Sequence, residues 1–377
     1  MNKQTAVSLA QQLAIDFATR ADAADKQGAL PAADVAALRQ SGYLALSVPR
    51  EFGGHGLSLA ACVAAHIELA KGSPSTALVA GMGLHIMGHQ RETRTWNDAA
   101  FEQLCRAAVN GGLINAAASE PQLGSPSRGG LAATTAVSTD DGWLLNGHKT
   151  WTTGGRHLTH ILVRANVDGE NGMILVEGDR PGLRWENTWQ DALSLRASDS
   201  HDLYLEDVLV ASENLVERGS KSSQPNLWFP MIMASVYLGA ALAARDWVIR
   251  FALERVPTAL GRPIATLPKI QRQIGEIDMR LQAARALLLE VAGSWRGGEA
   301  RRQTLFARVA AAKVMVTETA VTATDKALQI AGGSSITGDL PLGRYFRDVR
   351  AGSMQPPSGD TAYELIGRAA LGVDSSQ

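Results

Sequence analysis

Only two cysteines, Cys62 and Cys105, occur in the 377 residues. Two thiols cannot build a disulfide framework, and the lack of any C-x-x-C pair excludes a cysteine zinc cage. Both are expected as buried small hydrophobes in a reducing compartment. An excess of one charge sign is also missing: 36 Lys plus Arg stand against 37 Asp plus Glu, a formal net charge of -1. That balance gives no support for nucleic-acid binding, which relies on a basic excess or stripe. Long hydrophobic runs are absent too. The first twenty residues carry Gln, Asp16 and Arg20 among their apolar positions, unlike the core of a signal peptide. The longest apolar stretch, near 234–244, ends at Arg245 and is too short to span a bilayer. A soluble cytoplasmic protein is expected, with neither nucleic acid nor membrane as partner. The 45% hydrophobic content excludes disorder as the main state.

What is present divides the chain into three parts. Residues 1–112 are rich in Ala, Leu and Gln, and their spacing predicts helices over 32–38, 60–70 and 99–109. Residues 113–218 carry recurrent Gly and Asp turns at Asp140-Asp141-Gly142, Asp168-Gly169 and Asn171-Gly172, with short apolar runs at 160–164, 173–176 and 203–205. That pattern predicts an antiparallel, barrel-like β domain. Residues 219–377 turn helical again. The stretch 299–331 contains no Gly or Pro, and Leu305, Val309, Ala312, Val316 and Ala320 recur along it with Arg308, Lys313 and Glu318 between them. It reads as a long amphipathic helix. Two more helices over 231–255 and 270–295 complete the pattern of a four-helix bundle. The fold class is therefore α+β: an N-terminal helical domain, a middle β domain and a C-terminal helical bundle. Three surfaces meet in such an arrangement and leave a cleft, a usual place for a cofactor.

Common catalytic templates fail. No G-x-G-x-x-G follows a strand, and there is no Walker loop, H-E-x-x-H or G-x-S-x-G. The eight histidines show no metal-ligand spacing. Four other segments stand out. They are Gly42-Tyr43-Leu44-Ala45-Leu46-Ser47-Val48-Pro49-Arg50-Glu51-Phe52-Gly53-Gly54, Ser119-Glu120-Pro121-Gln122-Leu123-Gly124-Ser125 and Asn146-Gly147-His148-Lys149-Thr150-Trp151-Thr152-Thr153. The fourth is Gln329-Ile330-Ala331-Gly332-Gly333, followed eighteen residues after Gln329 by Arg347-Asp348. In this order the four resemble the acyl-CoA dehydrogenase superfamily over nearly the whole chain. The second and third resemble its T-E-P-x-x-G-S-D and N-G-x-K-x-W-I-T segments, and the fourth its Q-x-x-G-G and R-D pair.

The resemblance implies bound FAD and assigns roles. A flavin needs an apolar wall on one ring face and hydrogen bonds at N5 and the pyrimidine edge. Trp151 would be the wall and Thr153 would bond near N5. Ser119 keeps the hydroxyl of the family's Thr, and Ser125 would lie by the pyrophosphate or substrate. Gln329, Gly332 and Gly333 would reach the FAD of a neighbouring subunit in a homo-oligomer, a dimer or tetramer. Arg255 would pair with the same pyrophosphate, although Arg255-Val256-Pro257-Thr258-Ala259-Leu260-Gly261 departs from the family's R-x-x-F-G. Ser358 completes the cofactor set, and no metal is expected.

The resemblance implies α,β-dehydrogenation of an acyl thioester, with an electron-transfer flavoprotein or oxygen as acceptor. That reaction needs a carboxylate near the α-carbon. Nine residues after Arg347, where many members carry Glu, stands Pro356. The other position used in the family, twenty-six residues before Arg255, is Phe229. Three explanations stay open. Asp360 can act instead, unless it serves as the N-cap of a last helix. The substrate can lack the need for a strong base, or activity can be lost. Or the flavin performs oxygen chemistry as a monooxygenase on a non-thioester substrate, as members of this fold without the Glu do. His85 then resembles a histidine of those enzymes.

Overall fold

The computed structural model describes residues 1–123, 129–219, 226–295 and 299–373, with backbone alone at 299–304. The N-terminal part holds α1 (Lys3–Ala18), α2 (Ala21–Gln27), α3 (Ala32–Ser41), α4 (Leu59–Gly72), α5 (Pro74–Thr93) and α6 (Asp98–Val109). Side chains start the longer helices. Asn2 forms a capping box on α1, Ser58 caps α4, Ser73 caps α5 ahead of Pro74, and Asn97 caps α6. The spacing-based helices at 32–38, 60–70 and 99–109 are α3, α4 and α6.

The middle part is one eight-stranded sheet: β1 (Ile114–Ala117), β2 (Thr135–Thr139), β3 (Gly142–Thr152), β4 (His160–Val167), β5 (Glu170–Glu177), β6 (Leu183–Glu186), β7 (His201–Val210) and β8 (Leu215–Arg218). The strand order is β6-β7-β3-β2-β4-β5-β8, with β1 beside β4. Hairpins are antiparallel, as the turn residues require. β4 is the exception, since it runs parallel to both β1 and β2. Its run Ile161, Leu162, Val163, Ala165 and Val167 is buried on both faces, as such a central strand demands.

The C-terminal part holds α7 (Trp228–Glu254), α8 (Pro268–Ser294), α9 (Glu299–Ala331), α10 (Leu342–Asp348), α11 (Ala351–Met354) and α12 (Gly359–Leu371). α7, α8 and α9 pack on one another, α12 packs on α9, and α7 also packs on α4 and α5. This corrects the expectation that the apolar run near 234–244 is too short to cross a bilayer. α7 extends beyond it at both ends and is long and apolar enough by length and composition. The explanation for its composition is burial, because residues from Trp228 through Ala244 are almost all enclosed by neighbouring helices. Lys313 is a second correction. Helical spacing sets it among the polar residues of α9, yet it is 1% exposed.

α10 joins all three parts. Arg344 Nε donates to Asp22 Oδ1 at 2.8 Å, and Arg347 donates twice to Asp25, at 3.1 and 2.6 Å. Asp22 and Asp25 lie three residues apart on α2 and so share a face. Asp348 reaches the sheet part: its Oδ1 accepts from Leu195 N at 2.8 Å and its carbonyl from Ser194 Oγ at 2.8 Å. The Arg347-Asp348 pair of the motif is thus a clasp between domains. Burial pushes the Asp348 carboxyl up to about 6 despite the nearby Arg344. A folded pKa above the ordinary value means that ionisation opposes folding at neutral pH, and that the cost fades as pH falls through about 6 toward 4. Asp348→Asn keeps the acceptor for Leu195 and removes the ionisation. Denaturant melts are expected to show its stability rising relative to the native chain by roughly 3 kcal/mol from pH 4 to pH 7. Parallel pH profiles would contradict this account of Asp348.

Candidate active site

β3 is irregular at two places, and both shape the site. The first is at Asn146-Gly147, where the register against β7 slips. Asn146 and Asp207 exchange two hydrogen bonds of 2.9 Å there. A Cβ on Gly147 would lie 2.3 Å from Thr134 Oγ1 and 2.7 Å from Thr134 Cα, so only glycine lets β2 and β3 close. The second slip falls between Lys149 and Thr152. It throws Trp151 into a left-handed backbone, φ 57°, with its indole 62% exposed. Thr153 follows, 7% exposed. Asn115 Nδ2 on β1 donates to the Thr153 carbonyl at 2.9 Å, and Thr150 N donates to the Ser119 carbonyl at 3.0 Å. Ser119, Trp151 and Thr153, separate in the sequence, are therefore gathered at one end of β1 and β3.

A buried ion pair fixes this end. Lys149 Nζ donates to Glu120 Oε1 at 2.6 Å and also to the Arg164 carbonyl on β4. The Glu120 carboxylate also accepts from Ala133 N at 2.7 Å and Thr134 N at 2.9 Å. Burial alone would raise the Glu120 carboxyl, but Lys149 and these N–H groups outweigh it and hold it down to about 2. Sequence reasoning quoted Glu120 and Lys149 within motifs but gave them no role. A Glu and a Lys whose strand neighbours are apolar were the available signal.

The donor chemistry suits a flavin. An exposed Trp in a strained backbone is a cost that a stacked planar ring repays, and the buried Thr153 hydroxyl can bond a ring heteroatom. When bound, a flavin supplies two-electron redox chemistry.

The two positions where the family carries its base lie in different surroundings. Phe229 sits in the first turn of α7, its ring edge-on to His85 with centroids 5.0 Å apart. Asn226 Oδ1 accepts from Phe229 N at 3.0 Å, which turns its amide Nδ2 toward His85 Nδ1 at 3.2 Å. That assignment makes Nδ1 an acceptor and leaves the proton on Nε2. Burial, with a smaller effect of His89, lowers the His85 pKa to about 3, so the ring is neutral. Pro356 lies between α11 and α12, where Lys313 Nζ donates to the carbonyls of Gln355 at 2.8 Å and Pro357 at 3.0 Å. Burial pushes that ammonium down to about 8. The loop at the base position is therefore gripped by a buried cation. Ser358 stands at the cap position of α12, without a side-chain capping bond, and Asp360 is an exposed residue of the first turn. The N-cap alternative for Asp360 is thus corrected, because Ser358 already occupies that position.

The remaining expected residues lie elsewhere. Arg255 is exposed where α7 ends, and Gln329 is exposed on α9, donating to Asp325 at 2.8 Å. Gly332 stops α9 at φ 62°, and Gly333 follows on the surface. Among the described residues none of these four contacts Trp151 or Thr153. Ser125 lies outside the described residues.

Fold and site together define a flavin-dependent enzyme of the acyl-CoA dehydrogenase fold. The acyl-CoA dehydrogenase N-terminal, middle and C-terminal domain families match residues 3–92, 115–208 and 231–355. The putative acyl-CoA dehydrogenase YdbM of Bacillus subtilis (strain 168) is 38% identical over 364 residues, covering 96% of this chain and 95% of that protein. KijD3 in complex with FMN and dTDP-3-amino-2,3,6-trideoxy-4-keto-3-methyl-D-glucose superposes with a TM-score of 0.85 at 25% identity, covering 100% of this chain and 95% of that one. Nitrososynthase from Micromonospora carbonacea var. africana superposes with a TM-score of 0.84 at 26% identity, covering 98% and 97%. The chain belongs to the acyl-CoA dehydrogenase family.

Trp143 offers a control for Trp151. It is 9% exposed and donates to the Ser212 carbonyl at 3.3 Å, a packing role. Trp151→Ala is expected to raise the flavin dissociation constant at least tenfold, and Trp143→Ala to leave it within about threefold while lowering the melting temperature. Fluorescence titration measures both. Equal flavin affinities in the two variants would make Trp151 a packing residue only.

Proposed function

We propose that the protein binds FAD and catalyses α,β-dehydrogenation of an acyl thioester, passing electrons to an electron-transfer flavoprotein or to oxygen. The observation that supports this reading is the loop at 355–358. It is gripped by Lys313, so α12 starts from an anchored point with Asp360 four residues beyond Pro356. In this reading Trp151 walls the flavin and Ser119 and Thr153 bond it. Ser125 and Ser358 line its approach, Arg255, Gln329, Gly332 and Gly333 serve a partner's FAD, and Asp360 takes the α-proton. Cytoplasmic location suits the buried free thiols Cys62 and Cys105.

A second reading rests on its own observation. Neither base position carries a carboxylate, and the buried histidine against Phe229 is neutral. That arrangement favours a flavin-dependent monooxygenase on a non-thioester substrate, with His85 as a neutral donor through Nε2. Anaerobic titration separates the two. In a dehydrogenase, acyl-CoA bleaches the flavin band, and Asp360→Asn slows bleaching by about two to four orders of magnitude with the fold intact. A flavin that no acyl-CoA bleaches, yet that hydroxylates or oxidises an added substrate once reduced and aerated, would contradict dehydrogenation.

The homo-oligomer belongs to the same proposal. Met315, Ile336, Met354, Tyr363 and Leu371 leave large apolar surface exposed around α9 and α12. Light scattering at micromolar concentration is expected to give two or four times the 40.0 kDa chain mass. A monomer that retains FAD would contradict it.

A further inference from the structure

Behind Thr153 stands a buried chain of three hydroxyls. Ser200 Oγ lies 2.8 Å from Thr153 Oγ1 and 2.8 Å from Ser198 Oγ. Ser198 is 0% exposed, Ser200 2% and Thr153 7%. The segment is pinned on both sides of the chain: Gly154 N donates to the Ser198 carbonyl at 2.9 Å, and Asp199 Oδ1 accepts from Leu30 N at 2.9 Å. Asp199 takes a left-handed backbone, φ 46°, between the two serines, which places both hydroxyls on the side of Thr153.

Each hydroxyl has one hydrogen to donate and two lone pairs to accept with. In a buried row the hydrogens must be used in order, because an unspent donor is costly. Two arrangements satisfy the row. In one, Ser198 donates to Ser200, Ser200 donates to Thr153, and the Thr153 hydrogen points outward. In the other, Thr153 donates to Ser200, Ser200 donates to Ser198, and Thr153 offers a lone pair outward. Neighbouring bonds in such a row polarise one another, so the row favours a common sense.

We propose that Ser200 is a positioning residue that lets the Thr153 hydroxyl switch between donating and accepting toward a bound redox ring. The inference rests on the reading that Thr153 faces flavin N5. That nitrogen has a lone pair in the oxidised ring and carries a hydrogen in the two-electron-reduced ring, so the two redox states require opposite partners. Rotation about three C–O bonds supplies both. No proton leaves its oxygen and no heavy atom moves.

The test is the midpoint potential of the bound flavin. Ser200→Ala leaves the Thr153 hydrogen without an acceptor whenever Thr153 accepts from the ring, which disfavours the reduced state. A shift of about tenfold in the reduced-to-oxidised ratio is expected, about 30 mV more negative for a two-electron couple. Ser200→Thr keeps the hydroxyl and is expected to keep the native potential. In a Thr153→Val background, Ser200→Ala is expected to shift nothing further, a coupling that a purely structural role would not produce. A native potential in flavin-bound Ser200→Ala, or an undiminished shift in the Thr153→Val background, overturns the proposal while the flavin reading stands. Failure of the native chain to bind FAD or FMN overturns both. Should Ser200→Ala not fold, Ser198→Ala is read the same way: a negative shift supports the relay, and an unchanged potential overturns it.

Discussion

The buried pair of Glu120 and Lys149 is the constraint on which the site depends. One carboxylate ties together the loop after β1, the backbone at 133–134 and the middle of β3, and the lysine carries the tie on to β4. Four segments distant in sequence are thereby held at one corner of the sheet. The pair is not a source of net stability in itself, because desolvating two charges offsets much of their attraction. What it supplies is position. Removing one partner would strand the other charge in the interior, at about 3–5 kcal/mol. Geometry next to Ser119, Trp151 and Thr153 is thus fixed by a penalty for disorder rather than by many weak contacts.

The helical parts complete the frame by burying groups that helices seldom bury. α7 threads between the N-terminal helices and the bundle, so its faces are apolar nearly all round. Lys313 is enclosed where α9 meets the loop at 355–357, its ammonium spent on two carbonyls. Where the family carries a carboxylate in that loop, this chain has a proline, and no negative side chain is there to match the cation. The electrostatics of the substrate side therefore differ from those of a base-equipped relative, which is the physical ground for weighing oxygen chemistry beside dehydrogenation.

Much of the fold was legible because its signals are local. The 3.6-residue periodicity of α4 and α9 and the Asp-Gly turns of the sheet depend on near neighbours only. The motif residues Ser119, Trp151 and Thr153 were legible as a group through their resemblance to a family. Asn146-Gly147 also yields to a physical reason, since Gly147 has no room for a Cβ beside Thr134. What was not legible depends on distant partners. Lys313 resembles any solvent-facing helix lysine until the 355–357 loop closes over it. The parallel pairing of β4 with β1 and β2 leaves no mark in turn residues. Ser198 and Ser200 acquire meaning only once Thr153 is brought beside them, and Asn226 only once His85 is. The left-handed Trp151 carries no glycine to announce it.

The most direct measurement is a double-mutant cycle on flavin affinity with Glu120→Gln and Lys149→Met. Dissociation constants of FAD from the native chain, the two single variants and the double variant decide the matter. If the ion pair positions the flavin-facing end of β3, each single change weakens binding by at least tenfold. The double change then costs little more than either single one, because the stranded charge is removed. Native affinity in the single variants, or losses that simply add in the double variant, would contradict the claim that this pair holds the site together.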